Sequence, residues 1–583
     1  MRRSIATVCL SGTLDEKLAA AARAGFDGVE LFEADLVNSP LPPGEVRRLA
    51  DELGLTIDLY QPFRDFEAVP EPDLRRAEAK FDVMEELGAE LLLVCSNVSP
   101  AAIDDDDLAA EQLHALAERA GRRGLRIAYE ALAWGRHVDD YDHAWRIVEA
   151  ADHPALGTCL DSFHILSRGT DLDAIAGIDK VFYLQLADAP YLSMDVLQWS
   201  RHHRCFPGQG SFDLADFVAR VLAAGYDGPL SLEVFNDVFR QADPDRTAVD
   251  AMRSLLLLED RLPASPALAG FAFVEIGVDG PDTEELLRTL GFAHVGPHRS
   301  KPVQLWQHGD IRIVLNHGGD DPEVVAVAVE SGDPQRSAER AEALLAPVLE
   351  RRHGPGEADL ASIAAPDGTA VFFCGPDESW LRDFVALEPD GAGDGVPIER
   401  IDHITLAQPF DAFDEAGLFY RSVLDLQPAA SAELAAPGGL VRSRALANGP
   451  VRIVLNVPAL AGTQRGQAEL QHVAFACGDA LAAARAMRER GAPILPIPDN
   501  YYDDLEARYA LDVSELRELD VLYDRSGDGE LLHFYSALEG RVFFEVLERR
   551  GAYDGYGAVN SPVRMAAQRT TRRRHAAHAG RRS

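Results

Sequence analysis

The sequence has little positive charge, few cysteines and no long apolar run. Its 583 residues include 56 Lys and Arg against 95 Asp and Glu, which gives a formal charge of −39. Because phosphate binding needs clustered cations, this balance argues against a nucleic-acid partner or an anionic membrane surface. No stretch approaches the roughly 18 apolar residues of a membrane span, and the start of the chain shows no signal-peptide cleavage pattern. We therefore expect a cytoplasmic protein with neither a nucleic-acid nor a membrane partner.

The six cysteines lie far apart and include no CxxC pair. Thiol redox motifs and cysteine-rich zinc sites need closely spaced pairs, and disulfide frameworks are typical of short secreted chains. We therefore expect reduced and mostly buried thiols.

Apolar runs rich in β-forming residues alternate eight times with stretches of helical periodicity over residues 1–262. The runs are SIATVCL, GVELFE, LTIDLYQP, AELLLVCS, RIAYEAL, LGTCLDS, VFYLQLAD and PLSLEVFN, followed by helical stretches at 13–24, 44–53, 73–87, 107–123, 142–151, 170–178, 213–224 and 245–259. Eight strand-helix units of about thirty residues predict a (β/α)8 barrel. The rest of the chain is too long to belong to the same hydrophobic core, so further domains must follow.

Four later strands of this region end in oxygen-bearing side chains: Glu130, Asp161, Gln185 and Glu233. In a barrel the carboxyl ends of the strands meet at one rim, where the chemistry takes place. One acid at such a place is usually a helix cap or part of an ion pair, but four donors from successive strands predict a divalent metal site. Oxygen ligands favour Mg²⁺ or Mn²⁺, and Co²⁺ can occupy the same cage. Such an ion is suited to polarising a carbonyl and stabilising an enolate.

Other residues at this rim are suited to binding or activating a substrate. Arg64 follows the third strand and can hold a carboxylate through two parallel hydrogen bonds. His164 is the first choice for a general base, because histidine ordinarily titrates near neutrality. The long segment after the seventh strand indicates a lid or binding loop. It supplies Ser200, Arg201, His202, His203 and Arg204, while His137 lies on another loop; for any one of them the alternative is a solvated surface side chain.

The ordered segments YQPFRDFE, YEALAWGRHV, CLDSFHIL, LQLAD, SMDVLQWSRHHRCFPGQG and LEVFND resemble the bacterial 3-dehydroshikimate dehydratases, within the sugar-phosphate isomerase and epimerase barrel family. The broad family commonly has His at the strand-seven ligand position, whereas this chain has Gln185, as the two-domain dehydratases do. The resemblance implies conversion of 3-dehydroshikimate, a carboxylated cyclohexene, to protocatechuate and water in quinate and shikimate breakdown. It implies the metal ligands Glu130, Asp161, Gln185 and Glu233, and the catalytic or substrate-binding residues His164, Arg64, Ser200 and Arg204.

A linker rich in Pro and Ala is predicted at 263–270, and beyond it the chain repeats itself. The segment FVEIGV…GDIRIVLN returns as IDHITLA…NGPVRIVLN, and VFFCG returns at the start of VFFEVLERRG. A two-fold repeat of this kind predicts two copies of one α+β module that share a sheet-lined cavity. We place these modules at 271–395 and 396–563.

The second module has a histidine on each of two β runs and a glutamate on a third, namely His403, His472 and Glu545. Two histidines and one carboxylate form the facial triad of non-haem iron sites, so a second divalent metal, Fe or Mg, is predicted here. The sequence repeat aligns these residues with Glu275, Val324 and Cys374 of the first module, which is therefore predicted to hold no metal.

The repeated segments are similar to vicinal-oxygen-chelate modules, and FFEVLERRGAYDGYGAVN resembles the 4-hydroxyphenylpyruvate dioxygenases. In those enzymes a carboxy-terminal helix closes over the substrate. Here the segment at 564–583 is basic and lacks an apolar stripe, which predicts a disordered tail.

Three interpretations stay open on the sequence: a metal-dependent lyase in the barrel, a sugar isomerase or epimerase in the barrel, and a dioxygenase whose barrel is structural. Arg64 and Arg204 favour the lyase, because a compact carboxylated ring calls for guanidinium groups. The physiological metals, the activity of the second half and the oligomeric state, a homo-oligomer included, stay open. So does the choice of general base among His164, His137, His202 and His203.

Overall fold

The computed structural model describes residues 1–260, 262–319, 321–351, 353–387, 395–458 and 470–579. The chain forms two compact units, Met1–Arg261 and Leu262–Ser583. Of the helices in the described residues, none combines the length and apolar character that crossing a membrane requires. All six cysteines are buried and free, as predicted.

The first unit is a closed barrel of eight parallel strands in sequence order, in which β8 pairs with β1. This confirms the predicted (β/α)8 fold. The strands are β1 (Arg3–Ala6), β2 (Gly28–Phe32), β3 (Thr56–Phe63), β4 (Leu91–Cys95), β5 (Arg126–Glu130), β6 (Leu156–Asp161), β7 (Val181–Leu186) and β8 (Leu230–Leu232). The helices are α1 (Leu14–Ala24), α2 (Glu33–Asn38), α3 (Pro43–Leu53), α4 (Leu74–Leu87), α5 (Asp106–Arg122), α6 (Tyr141–Ala151), α7 (Ser162–Leu166), α8 (Val196–His202), α9 (Leu214–Ala223) and α10 (Pro244–Leu258).

The helix that follows β6 differs from the prediction, and its actual position places it at the mouth of the barrel. The stretch at 170–178 forms only a short 3₁₀ helix, Asp173–Gly177, so the α-helix predicted there is wrong. The α-helix of this unit is α7, which begins directly after β6 because the Asp161 side chain accepts hydrogen bonds from the first backbone N–H groups of the helix. Capping by the last strand residue therefore starts a helix at the barrel mouth.

The second unit contains two mixed sheets with equivalent strand orders, β10-β11-β12-β9-β13-β15-β14 and β17-β18-β19-β16-β20-β23-β22-β21. The first module consists of β9 (Leu268–Gly277), α11 (Asp282–Thr289), β10 (Ala293–Pro297), β11 (Val303–His308), β12 (Ile311–Asn316), β13 (Glu323–Ser331), α12 (Pro334–Ala343), β14 (Ser362–Ala364) and β15 (Ala370–Cys374). Because β9 begins at Leu268, the predicted linker ends earlier than residue 270.

The second module has the same core with one additional strand, β21, at the edge of its sheet and additional helices. It consists of β16 (Ile398–Ala407), α13 (Phe413–Leu424), β17 (Gln427–Ala436), β18 (Gly439–Asn448), β19 (Val451–Pro458), β20 (Gln471–Cys477), α14 (Ala480–Glu489), α15 (Asp499–Tyr509), α16 (Ser514–Leu519), β21 (Leu522–Ser526), β22 (Gly529–Tyr535), β23 (Val542–Arg550) and α17 (Ser561–Ala579).

Helix α17 corrects the prediction of a disordered tail at 564–583, of which the last four residues lie outside the described part of the chain. Met565 is buried, and the guanidinium of Arg564 lies over two aromatic rings of the second module. Packing against the module therefore stabilises a helix whose own sequence has no apolar stripe, a contribution that composition does not reveal.

Strand pairing also corrects the alignment of the two modules. Both contain the repeated sequence RIVLN, in which Ile313 pairs with Val274 and Ile453 pairs with Ile404. Counting outwards from these pairs, the positions of His403, His472 and Glu545 correspond to Phe273, Ala326 and Phe372. The predicted equivalents Glu275, Val324 and Cys374 are each two residues away along their strands. A shift of two leaves the alternation of inward and outward residues unchanged, so the hydrophobic pattern cannot detect it.

Candidate functional site

Strands β5 to β8 bring the four predicted barrel ligands to one side of the mouth. Glu130 ends β5, Asp161 ends β6, Gln185 lies in β7, and Glu233 directly follows β8. Asp161 pairs with Gln185 across the sheet, and all four side chains are between 0% and 5% exposed. The predicted oxygen cluster is thus assembled by strand register and shielded from water.

A buried guanidinium joins two members of this cluster. Arg204 donates from Nη1 to Asp161 Oδ2 at 2.7 Å and to Glu233 Oε2 at 3.1 Å. The Ser200 hydroxyl accepts hydrogen bonds from Nε and Nη2 of the same arginine at 3.1 and 2.8 Å. Because a buried charge is costly unless it is paired, these contacts fix Arg204 within the carboxylate cluster. Ser200 in turn holds the guanidinium in place.

Glu30 on β2 is a buried carboxylate that sequence reasoning missed as part of the site. Its Oε2 accepts hydrogen bonds from the side-chain amides of Gln61 at 2.8 Å and Gln185 at 2.6 Å. Because Gln185 gives its amide nitrogen to Glu30, its carbonyl oxygen is the atom left to serve as a ligand. The signal was present in the sequence, since an acid inside the apolar strand GVELF has no place in an ordinary core.

His164 lies against the cluster from helix α7. Its Nε2 is 3.6 Å from Glu130 Oε1 and 3.8 Å from Asp161 Oδ2. Burial lowers the pKa of His164 to about 3, so the ring is neutral at ordinary pH. The backbone N–H of Ala133 donates to Nδ1 at 3.1 Å, and Arg204 Nη2 lies 3.2 Å from Nε2, so a donor faces each ring nitrogen although a neutral ring can accept at only one of them.

The donor set of the cluster fits a divalent cation. Glu130 Oε1 is buried without a hydrogen-bond partner, and an oxygen of this kind is satisfied by a cation. Burial, with repulsion from Asp161, raises the pKa of Glu130 well above its usual value. Oxygen atoms of Glu130 and Asp161 and a ring nitrogen of His164 all lie within 4.8 Å of one another, a spacing that one ion can bridge. Burial also raises the pKa of Glu233 to about 7, against the effect of Arg204.

The other predicted barrel residues are an arginine that follows β3 and three histidines on loops or at the end of α8. Arg64 is half-buried just beyond β3, near enough to His164 and Glu233 to affect their electrostatics, and its side chain makes no hydrogen bond or ion pair within residues 1–260. His137 contacts Asp104 at 3.4 Å, and His202 pairs with Asp237 at 2.9 Å, both of them exposed loop carboxylates. The ring of His203 lies edge-on to His202 with centroids 6.4 Å apart. The structure therefore brings His164 to the cluster, whereas the contacts of His137 and His202 lie on the surface.

The second module brings its predicted triad together at the centre of its sheet. His472 Nε2 is 3.1 Å from Glu545 Oε2, and His403 Nε2 is 3.5 Å from the same oxygen. The two imidazole Nε2 atoms are 3.2 Å apart, and all three side chains are buried. Burial lowers the pKa of His472 to about 4, so its ring is neutral and available as a ligand.

Two further side chains orient the triad from outside, and sequence reasoning missed both. Asp402 accepts a hydrogen bond from His403 Nδ1 at 3.0 Å, so His403 presents Nε2 to the triad. His533 on β22 contacts Glu545 Oε1 at 2.7 Å. Burial opposes the charge of Glu545, but the contacts with His472 and His533 lower its pKa well below the usual value. The triad thus contains an ionised carboxylate and two imidazoles directed at one point, which fits a transition-metal ion.

Comparisons with known proteins agree with this two-unit architecture. Residues 18–257 match the family model described as xylose isomerase-like TIM barrel. Residues 264–339 match the N-terminal model of hydroxyphenylpyruvate dioxygenase, and residues 400–526 match the glyoxalase, bleomycin resistance protein and dioxygenase superfamily.

The chain is similar over nearly its whole length to curated proteins and to a solved structure. It is 45% identical to the 3-dehydroshikimate dehydratase of Pseudomonas putida and 46% identical to that of Pseudomonas aeruginosa, over 98% of this chain and 99% of each relative. A solved xylose isomerase-like TIM barrel/4-hydroxyphenylpyruvate dioxygenase fusion protein superposes with a TM-score of 0.88 at 44% identity, over 97% of this chain and 99% of that chain. The chain belongs to the family of two-domain bacterial 3-dehydroshikimate dehydratases.

Proposed function

We propose that this protein is a hydro-lyase that converts 3-dehydroshikimate to 3,4-dihydroxybenzoate and water. The observation that carries the proposal is the buried cluster of oxygen donors at the barrel mouth, with the guanidinium of Arg64, unpaired within residues 1–260, beside it. Full-length similarity to relatives named for this reaction supports it. A sugar isomerase or epimerase would not call for a free guanidinium, whereas a carboxylated ring does.

The ion that we propose for this cluster is Mg²⁺ or Mn²⁺, with Co²⁺ as a substitute, because all four proposed ligands offer oxygen. Glu130, Asp161, Gln185 and Glu233 would hold it, and it would supply Lewis-acid polarisation of the substrate's ring ketone. Cys95 donates from its thiol to Glu130 Oε2 at 3.3 Å, which leaves the unpartnered Oε1 as the ligand atom.

The protein's own groups then bind the substrate and move a proton. Arg64 binds the ring carboxylate through two parallel hydrogen bonds. His164 removes the ring proton next to the conjugated carbonyl system and returns it to the departing hydroxyl, which leaves as water. His164 is then back in its starting state. Loss of a second ring proton to solvent, with uptake of a proton by the ring ketone oxygen, gives the aromatic diphenol.

The local geometry sets a condition on this role of His164. Donors face both ring nitrogens, the Ala133 N–H at Nδ1 and Arg204 Nη2 at Nε2, and a neutral imidazole can accept at only one of them. Proton abstraction through Nε2 requires the tautomer with its proton on Nδ1, in which the contact with Ala133 is given up, and the Arg204 contact must open to admit the substrate. Substrate binding next to Arg204 and Arg64 is the step that would turn the ring.

The test is incubation of the metal-loaded protein with 3-dehydroshikimate, followed by ultraviolet absorbance and chromatographic identification of the product. We expect one molecule of 3,4-dihydroxybenzoate for each molecule of substrate consumed. Consumption without an aromatic product would favour the isomerase alternative, and no consumption would refute the proposal.

A second candidate function belongs to the triad of His403, His472 and Glu545. Its imidazole ligands favour a softer ion than the barrel does, so of the two ions predicted for this site we propose Fe²⁺ over Mg²⁺ and, with Fe²⁺, a dioxygenase reaction on an aromatic 2-oxo acid. The test is oxygen uptake by the Fe²⁺-loaded protein with 4-hydroxyphenylpyruvate. Uptake that His403→Ala abolishes would support the activity, and uptake equal to that of a protein-free control would refute it.

A further inference from the structure

The first module, although it lacks the triad, contains a cavity of about 340 Å³ against its sheet. Phe273 of β9, Val314 of β12 and Phe372 of β15 form the part of the wall that belongs to the sheet. Trp380 and Phe384, which follow β15, form another part of the wall. The volume is sufficient for one substituted six-membered ring.

This cavity occupies the position that the metal triad has in the second module. Phe273 stands at the position of His403, and Phe372 at that of Glu545, as strand pairing shows. Two metal ligands are thus replaced by aromatic rings, and the space in front of them is kept.

The walls are arranged to contact a flat apolar ring. The rings of Phe273 and Trp380 have centroids 4.8 Å apart, and those of Phe273 and Phe372 are 5.7 Å apart. The guanidinium of Arg351 lies over Phe372 at 4.7 Å from the ring centroid. A planar ring bound here would meet aromatic faces with a cation at one side.

Two polar groups of the lining are only partly paired within the protein. Arg351 forms no ion pair among the residues that the structure describes, while neighbouring Lys301 is paired with Glu357 at 3.4 Å. Asp383 is 6% exposed, and its Oδ2 accepts from the Ala358 N–H at 2.9 Å, but its Oδ1 is buried without a hydrogen-bond partner. A buried oxygen of this kind is costly unless a donor reaches it.

We infer that this cavity binds a one-ring aromatic carboxylate bearing a hydroxyl group. Arg351 takes the carboxylate, the ring lies among Phe273, Phe372 and Trp380, and the hydroxyl donates to Asp383 Oδ1. The product of the proposed dehydration belongs to this class, but the inference rests on the lining of the cavity and stands without that reaction.

The test is isothermal titration of 4-hydroxybenzoate into the metal-loaded full-length protein and into its Arg351→Met variant. Methionine keeps apolar contact with Phe372 and removes the charge. The barrel and triad sites are present in both proteins, so a site that disappears is the cavity. We expect one fewer binding site per chain, or affinity lower by about 10- to 100-fold at that site, the range for a lost charge-assisted contact. Arg336→Met on exposed α12 is the matched control and should bind like the wild type.

Three further measurements test the ligand class and the location of the site. The amide 4-hydroxybenzamide should bind the wild type at least about tenfold more weakly than the acid, because it lacks the charge for Arg351. Asp383→Asn should reduce the preference for 4-hydroxybenzoate over benzoate. Leu360→Trp, which fills the cavity without altering a charge, should remove the site as Arg351→Met does. Binding that is unchanged in both Arg351→Met and Leu360→Trp, or equal for acid and amide, would overturn the inference.

Discussion

The barrel cluster and the C-terminal triad both bury carboxylates, but they neutralise them differently. In the barrel, Asp161 and Glu233 meet the guanidinium of Arg204, and Glu130 keeps one oxygen without a hydrogen-bond partner. In the triad, both oxygens of Glu545 meet imidazole nitrogens. Burial raises the pKa of Glu130, whereas the imidazole contacts lower the pKa of Glu545 in spite of burial.

This difference in how the carboxylates are paired indicates that the barrel cluster needs a bound cation to neutralise its buried carboxylates, whereas the triad does not. An unpartnered buried oxygen in a cluster of oxygen donors calls for a hard cation, which also supplies the Lewis acidity of the proposed dehydration. The triad is internally hydrogen-bonded and held from outside by Asp402 and His533, the arrangement typical of a preorganised transition-metal site. The two sites are therefore predicted to take different metals and to act independently.

The largest effect is expected from Glu130→Ala, which should abolish measurable dehydration. The variant loses the ligand with the unpartnered oxygen, and metal analysis should show one divalent ion fewer per chain. His403→Ala is the matched control and should lose an ion but keep the dehydration rate. Equal loss of dehydration in both variants would break the independence of the two sites.

His164→Asn should lower kcat by about 10²- to 10⁴-fold, the usual contribution of a general base, and leave the metal content of the barrel intact. The paired measurement of kcat and bound metal matters because His164 lies near both Glu130 and Asp161. Loss of the metal together with activity would identify His164 as a ligand, and full kcat would place the base elsewhere.

Glu67 is a buried barrel carboxylate outside the cluster. It provides a third case for the comparison, a buried carboxyl group that neither a guanidinium nor an imidazole neutralises. Burial raises its pKa to about 7, and Asn97 N–H and Tyr129 O–H donate to its Oε1. The folded-state pKa of Glu67 therefore exceeds its unfolded value, so the folded protein holds this proton more tightly than the unfolded chain does. The stability that the protonated Glu67 contributes is fully present below the unfolded pKa and is lost as pH rises through about 7. Relative to Glu67→Gln, the wild-type barrel should lose about 3 kcal/mol of unfolding free energy between pH 5 and pH 8. Parallel pH profiles for the two proteins in denaturant titrations would contradict this.

Asp402→Asn should weaken metal binding at the triad by about 10- to 100-fold, because His403 loses its anionic hydrogen-bond partner. Metal titration of the full chain measures this effect. Dehydration should be unaffected, and a fall in its rate would show that the barrel depends on the triad.

Arg64→Lys should raise KM by about tenfold with little change in kcat, since lysine keeps the charge but loses the two-pronged contact with a carboxylate. Arg201→Lys on the surface of α8 is the matched control. A change confined to kcat would assign Arg64 to the chemical step and not to binding.

The sequence was sufficient to predict the barrel and the repeated modules. It also singled out the strand-end acids and histidines that the structure brings together, because such residues are conspicuous inside apolar runs. It was insufficient for Glu30, Asp402 and His533, whose roles depend on which strands become neighbours. It misaligned the two modules by two residues because that shift preserves the alternation of buried side chains. It also missed helix α17, which is stabilised by tertiary packing.

The central claim is that a divalent ion in the barrel, and not one in the triad, supports dehydration. The most direct test is to remove all metal and restore activity with one kind of ion at a time. Wild type and His403→Ala are stripped with a chelator and titrated with Mg²⁺ or Mn²⁺ while 3,4-dihydroxybenzoate formation from 3-dehydroshikimate is recorded. Both proteins should be inactive when stripped and should regain the same rate as the barrel fills. Undiminished turnover by the stripped wild type, or a His403→Ala protein that stays inactive with its barrel fully loaded, would contradict the account.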